Sequence, residues 1–161
     1  VFNAGHVALL ASPESLGTTS VTINGLAPGS YSIEVYQDVT SDDGTKSGTA
    51  SKSFTVGRTA PSAPKIGTAS SGASGGTVSA LARWGAPTST GGSAITGYKV
   101  IAYKVTSTGR VVGHVFSKVL SSSTRSYSFG LSAGRYKFRV VAYNGVGMSP
   151  YSSYSAVVTA R

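Results

Sequence analysis

The stretch LSAGRYKFRV, residues 131–140, has a counterpart in LAPGSYSIEV, residues 26–35. Both run Leu, two small residues, Gly, a variable residue, Tyr, and then apolar residues at every second place. Side chains on a strand point alternately to its two faces, so this alternation marks a half-buried strand. The tripeptide GHV lies upstream of both blocks, at residues 5–7 and 113–115. Two matching pieces in the same order mark an internal repeat. The copies differ on the variable face, where Ser32 and Glu34 of the first become Lys137 and Arg139 of the second.

Working outward, SVTINGL, SYSIEVYQDV and SGTASKSFTV precede residue 57 and read as strands. After it, TVSALARWGAP, ITGYKVIAYKV, RVVGHVFSKVL, RSYSFGL, RYKFRVVAYN and SSYSAVVTA do the same. Gly, Pro and Asn fall between them, and TSDDGT, residues 40–45, reads as a hairpin turn. No stretch holds a 3.6-residue period long enough for an ordinary helix. The chain is expected to be all-β.

Of the 161 residues 40% are hydrophobic, with nine Tyr, five Phe and one Trp, enough to build a core. No run of about 18 apolar residues occurs, so no membrane insertion is expected. The absence of cysteine excludes thiol catalysis, disulfides and cysteine-ligated metals. It fits a bacterial exported protein better than a small eukaryotic secreted domain, which disulfides usually staple. All five acids (Glu14, Glu34, Asp38, Asp42, Asp43) lie in the first 43 residues, and all 14 Lys and Arg lie from Lys46 onward. A stretch that basic attracts polyanions at long range, an effect that salt screens.

GRTAPSAPKIG, residues 57–67, carries two Pro among small residues and reads as a lead into a first strand. The expected organisation is a partial β unit over 1–57, a linker over 58–66, and a complete domain over 67–161. The repeat places the start of the first copy where the second has already used three strands. Half a sandwich exposes one apolar face and an unpaired edge. The chain, which starts at Val1, is therefore expected to begin inside a domain of a longer protein. A smaller complete β-domain, or a partner chain supplying the missing strands, is the alternative.

Residues 60–161 resemble a fibronectin type III domain along their whole length. The resemblance rests on the APSAP lead-in, Trp84 followed by Pro87, and SAITGYKVIAY at 93–103. It continues with Leu131 before Tyr136, YKFRVVAYNGVG and SPYSSYS. It implies a seven-stranded antiparallel sandwich with Trp84 on the second strand, Tyr98 on the third and Tyr136 at a tyrosine corner. Leu131 and Tyr136 are five apart, one fewer than the pattern associated with the family. The first unit resembles the C-terminal part of a second type III or bacterial immunoglobulin-like domain. Bacterial members are commonly accessory modules of secreted polysaccharide-degrading enzymes, surface adhesins or virion proteins, and the Arg-Gly-Asp tripeptide of some animal members is absent.

No catalytic constellation emerges. A carboxylate pair is missing from the basic unit, and a serine triad needs a His with an acid. His6 and His114 occupy matching positions and read as structural strand residues. Trp84 reads as core, and SDDG as a solvated turn without the spaced acids of a calcium loop. Neither cofactor nor metal is expected, nor is enzyme activity.

What remains is surface. With Tyr98, Val100 and Ala102 inward, Lys99, Ile101 and Tyr103 face outward. With Tyr136, Phe138, Val140 and Ala142 inward, Arg135, Lys137, Arg139, Val141 and Tyr143 face outward. The family resemblance makes these strands neighbours. Lys99, Tyr103, Lys137, Arg139 and Tyr143 are thus the candidate ligand-binding residues, a basic Tyr-bearing face. Tyr stacks on sugars, and Lys or Arg pairs with phosphates or uronates. The expected role is a non-catalytic accessory, binding and spacer module of a larger exported bacterial protein, secreted or at the cell surface. Its partners would be an anionic polysaccharide or cell-surface polymer and other domains of the parent protein, with nucleic acid a weaker candidate. The alternative is a structural subunit of a virion or extracellular filament.

Overall fold

The computed structural model describes residues 23–35, 50–75 and 77–161. The chain divides into two compact units, Val1–Gly57 and Arg58–Arg161. The first GHV copy with His6, and the TSDDGT segment at 40–45, lie outside the described residues.

In the first unit β1 (Gly29–Val35) pairs antiparallel with β2 (Ala50–Val56). The Tyr31 hydroxyl donates to the Ala27 carbonyl at 2.6 Å, closing the bend before β1. Its ring stacks on Phe54, the residue directly opposite, with centroids 5.7 Å apart.

The second unit holds β3 (Lys65–Ile66), β4 (Ser70–Ser71), β5 (Ser79–Gly85), β6 (Ile95–Val105), β7 (Val111–Phe116), β8 (Leu120–Ser121), β9 (Ser126–Gly130), β10 (Gly134–Asn144) and β11 (Val158–Ala160). One sheet has the order β11-β10-β6-β7, with β8 also on β6. In the other, β5 carries β3, β4 and β9. All these pairings are antiparallel. The described residues contain no helix, as the alternating pattern requires.

The core is the contact of the two inner faces. Tyr98, Val100 and Ala102 of β6 and Tyr136, Phe138, Val140 and Ala142 of β10 meet Ala80, Ala82 and Trp84 of β5 and Phe129 of β9. Alanines beside large rings let the layers interdigitate, as close packing demands. Trp84 lies tilted against Tyr98 at 5.8 Å, and Phe129 stacks on Phe138 at 5.7 Å.

The repeated Leu-x-x-Gly-x-Tyr block builds the same bend in both units. The Tyr136 hydroxyl donates to the Ser132 carbonyl at 3.1 Å, four residues back, as Tyr31 does to Ala27. The five-residue spacing from Leu131 is therefore compatible with a closed corner. The register also repeats, with Tyr31 opposite Phe54 and Gly29 opposite Val56, and Tyr136 opposite Val158 and Gly134 opposite Ala160.

The segment read as a linker, 58–66, is bound to the second unit. Thr59 and Ser62 donate backbone N–H groups to the carbonyls of Gly91 and Ser89, and Pro61 is buried. Gly91 has φ +67, and a Cβ there would collide with the Thr59 carbonyl, so only glycine fits this approach. Asn144 locks the arrangement. Its Nδ2 donates to Thr59 O and Thr90 O, each at 2.8 Å, while its Oδ1 accepts N–H groups from Val146 and Gly147.

One expected strand is different in kind. Of SSYSAVVTA only Val158–Ala160 is strand. Before it Ser149, Ser152 and Ser155, every third residue, bond to Ala142, Val140 and Phe138, every second residue of β10. Each serine N–H donates to the β10 carbonyl at 2.8–2.9 Å, and each Oγ accepts the β10 N–H at 2.9–3.0 Å. Each hydroxyl then donates to the carbonyl of the next residue. Ser117 does the same for Val100 of β6. The hydroxyl replaces a main-chain acceptor, so the segment advances three residues for every two of the strand.

Two substitutions separate a hydroxyl with partners from one without. Ser152→Ala strands the buried Val140 N–H and is expected to cost about 1–3 kcal/mol of unfolding free energy in urea titration. Tyr98→Phe removes a buried hydroxyl that has no hydrogen-bond partner. It is expected to be neutral or stabilising in the same measurement.

Candidate functional site

The outer face of β6 and β10 is set by register. Tyr103 lies opposite Lys137, Ile101 opposite Arg139, and Lys99 opposite Val141. Alternation along both strands puts Lys99, Tyr103, Lys137, Arg139 and Tyr143 on this face. β7 extends it with His114 opposite Tyr103 and Phe116 opposite Ile101.

Ile101 and Val141 point outward, yet they are only 2% and 1% exposed. The long stems and rings beside them form a second layer over the sheet, as amphipathic side chains do when their heads reach water. The outer face is thus a packed surface and not a bare pleat.

The cations of this layer rest on aromatic rings. The Lys99 ammonium lies 4.8 Å from the Phe116 centroid, and that of Lys137 lies 4.1 Å from Tyr154. The Arg139 guanidinium is 4.6 Å from Tyr154 and 5.1 Å from Tyr151. Its Nε donates to the Ser152 carbonyl at 2.7 Å, and Lys137 Nζ donates to the Gly109 carbonyl at 3.4 Å. Tyr103 meets Tyr154 edge-on at 5.4 Å and His114 at 6.2 Å, and His114 meets Phe116 edge-on at 5.0 Å. The rings run as one strip from Phe116 through His114 and Tyr103 to Tyr154.

Four of the five candidate residues therefore belong to this cation–ring layer. Tyr143 lies at the far end of β10, opposite Gly97, and bridges to Met148 through its backbone. Among the described residues no cation sits over its ring. Tyr151, Tyr154 and Phe116 complete the layer and were not among the expected residues. The signal for two of them is in the sequence: Ser at 149, 152 and 155 carries Tyr151 and Tyr154 at the same three-residue step.

Residues 58–161 contain no Asp or Glu but hold twelve of the 14 Lys and Arg, all except Lys46 and Lys52. The rings and carbonyls that receive Lys99, Lys137 and Arg139 are neutral, so they leave the positive charge of this face in place. Chemically the face offers N–H donors and half-exposed rings to an anion. No group of three His, Cys, Asp or Glu suited to a metal occurs among the described residues.

The sequence model of the fibronectin type III domain matches residues 62–158. Among solved structures, domains A168–A170 from titin superpose with a TM-score of 0.52 at 22% identity, covering 83% of this chain and 41% of that one. The twitchin kinase region from C. elegans gives 0.49 at 22% identity, covering 62% of this chain and 16% of that one. The FN1–FN3 domains of chicken CNTN1 give 0.48 at 18% identity, covering 72% and 39%. The chain thus spans less than half the length of each of these structures. No curated protein matches its sequence.

Burial raises the Tyr103 phenol above its ordinary pKa of 10.0, the neighbouring Tyr154 and Tyr151 add to this, and Arg139 opposes it. A raised native value means that the unfolded chain loses this proton first. Stability linked to Tyr103 is therefore full below pH 10 and falls as pH rises through the native value. Tyr103→Phe is expected to flatten the decline of unfolding free energy above pH 10, read by urea titration at stepped pH.

Proposed function

The chain belongs to the fibronectin type III family, and from that premise we propose a non-catalytic accessory and spacer module of a larger exported bacterial protein that holds its parent against an anionic glycan or cell surface. Members of this family are typically accessory or spacer modules of larger proteins. A secreted polysaccharide-degrading enzyme or a surface adhesin is the kind of parent that fits. The absence of cysteine and of any acid in the basic unit supports that reading.

One observation carries it: Lys99, Lys137 and Arg139 are held on one sheet face by aromatic rings, with no Asp or Glu in the unit to neutralise them. Preordered cations lose little side-chain entropy on pairing with a ligand anion. The tyrosines take a different part from that expected of flat stacking platforms. Tyr151 and Tyr154 already carry cations, and Tyr103 is half-buried. Charge then does more of the binding than ring stacking, which favours sulfated or uronate-bearing glycans over bases of nucleic acid.

Replacing both Lys137 and Arg139 by Gln keeps the stems over the sheet while removing the charge. The double variant is expected to elute from an immobilised sulfated or uronate glycan at clearly lower salt while still unfolding cooperatively in urea, its midpoint lowered by the lost cation–ring contacts. Unchanged retention would refute the reading.

A further inference from the structure

We propose that the outer edge of β7 (Val111–Phe116) is a docking strand for an extended apolar peptide segment with acidic flanks, which would add to the β11-β10-β6-β7 sheet beyond β7. The two sides of this sheet are finished differently. Beside β10 the serines at 149, 152 and 155 occupy the main-chain N–H and carbonyl groups that an incoming strand would need. Beside β7, the terminal strand, no described segment pairs. Natural edge strands are usually blunted by charge, Pro or shortness. VVGHVF has none of these; its one irregularity is a bulge at Val112, skipped between the Lys104–Gly113 and Val105–Val111 pairs, which leaves 113–116 in regular register.

β7 also overhangs the sandwich. Val115 is opposite the buried Ala102 and so faces the side of the core, yet it is 47% exposed. Val112 and Phe116 are 58% and 50% exposed. Apolar side chains are thus open on both faces of one strand, and an added strand would cover them by cross-strand pairing while satisfying the edge.

Charge selects the occupant. Arg110 precedes the strand, Lys118 follows it, and Lys99 lies over Phe116. Two β7 strands paired antiparallel about Gly113 and His114 would place Arg110 of each copy beside Ser117 and Lys118 of the other. Like charges would meet at both ends, between two units without acids. A peptide of alternating apolar residues with Glu or Asp at its ends meets the same cations with opposite charge.

The probe is a synthetic peptide of alternating Val and Thr with two Glu at each end, against the same peptide ended by Lys. Both are titrated into the full 161-residue chain by fluorescence anisotropy, with backbone amide NMR on the same mixtures. The Glu-ended peptide is expected to bind at least tenfold tighter, with amide shifts concentrated at 111–116. Val112→Ser combined with Val115→Ser, on exposed positions, should weaken it at least fivefold. Arg110→Gln with Lys118→Gln should cut the preference for Glu ends sharply, with only Lys99 left to favour them. Equal binding of the two peptides, or shifts confined to the Lys137 and Arg139 face, would overturn the proposal. So would dimerisation of the chain alone that the Val112 and Val115 double variant abolishes, since a second copy would then be the occupant.

Discussion

Three serine hydroxyls along β10 set much of what the second unit can do. A strand edge must find acceptors for its N–H groups, and here Ser149, Ser152 and Ser155 supply Oγ atoms where a β ladder would supply carbonyls. The cost of leaving such groups unpaired in a dry place makes this a strict condition. Because side-chain and main-chain atoms of one serine serve both groups of its β10 partner, the segment needs three residues per two of the strand. The step of three then carries Tyr151 and Tyr154 along one side, above Arg139 and Lys137, which follow the strand's step of two. Edge protection and the ring layer are one device.

That layer replaces the ion pairs the composition denies. Surface ion pairs contribute about 0–1 kcal/mol, and a cation on an exposed ring about 0.5–1 kcal/mol. The two are comparable for stability but differ in their electrostatic outcome. A carboxylate neutralises its partner, whereas a ring orders the cation and leaves its charge. A unit without acids that seats its cations on Phe116, Tyr151 and Tyr154 keeps both an ordered surface and its full positive potential.

The same sheet treats its other side sparingly. Ser117 caps a single position of β6, and beyond it β7 runs uncharged to the end of the sheet. One margin is thus closed by hydroxyls and covered with rings, while the other keeps main-chain groups and valines at the surface. The two surfaces meet at Lys99, His114 and Phe116.

Alternation of apolar residues was enough to declare the all-β class, the inward set from Tyr98 to Ala142, and the outward position of Lys99, Tyr103, Lys137 and Arg139, because a two-residue period is a local property that any reader of the chain can count. The Leu-x-x-Gly-x-Tyr echo likewise marked an internal repeat, while the bend that both copies build, a hydroxyl bonding four residues back, is a finding of the structure. Tertiary structure alone decided the rest. Segment 58–66 is bound in place by Asn144, some 85 residues away from Thr59. Ile101 and Val141, outward positions by count, are nonetheless buried. Tyr151 and Tyr154 join the face while Tyr143 stays apart, because contacts between a three-residue and a two-residue period depend on how two distant segments lie together and on no pattern within either one.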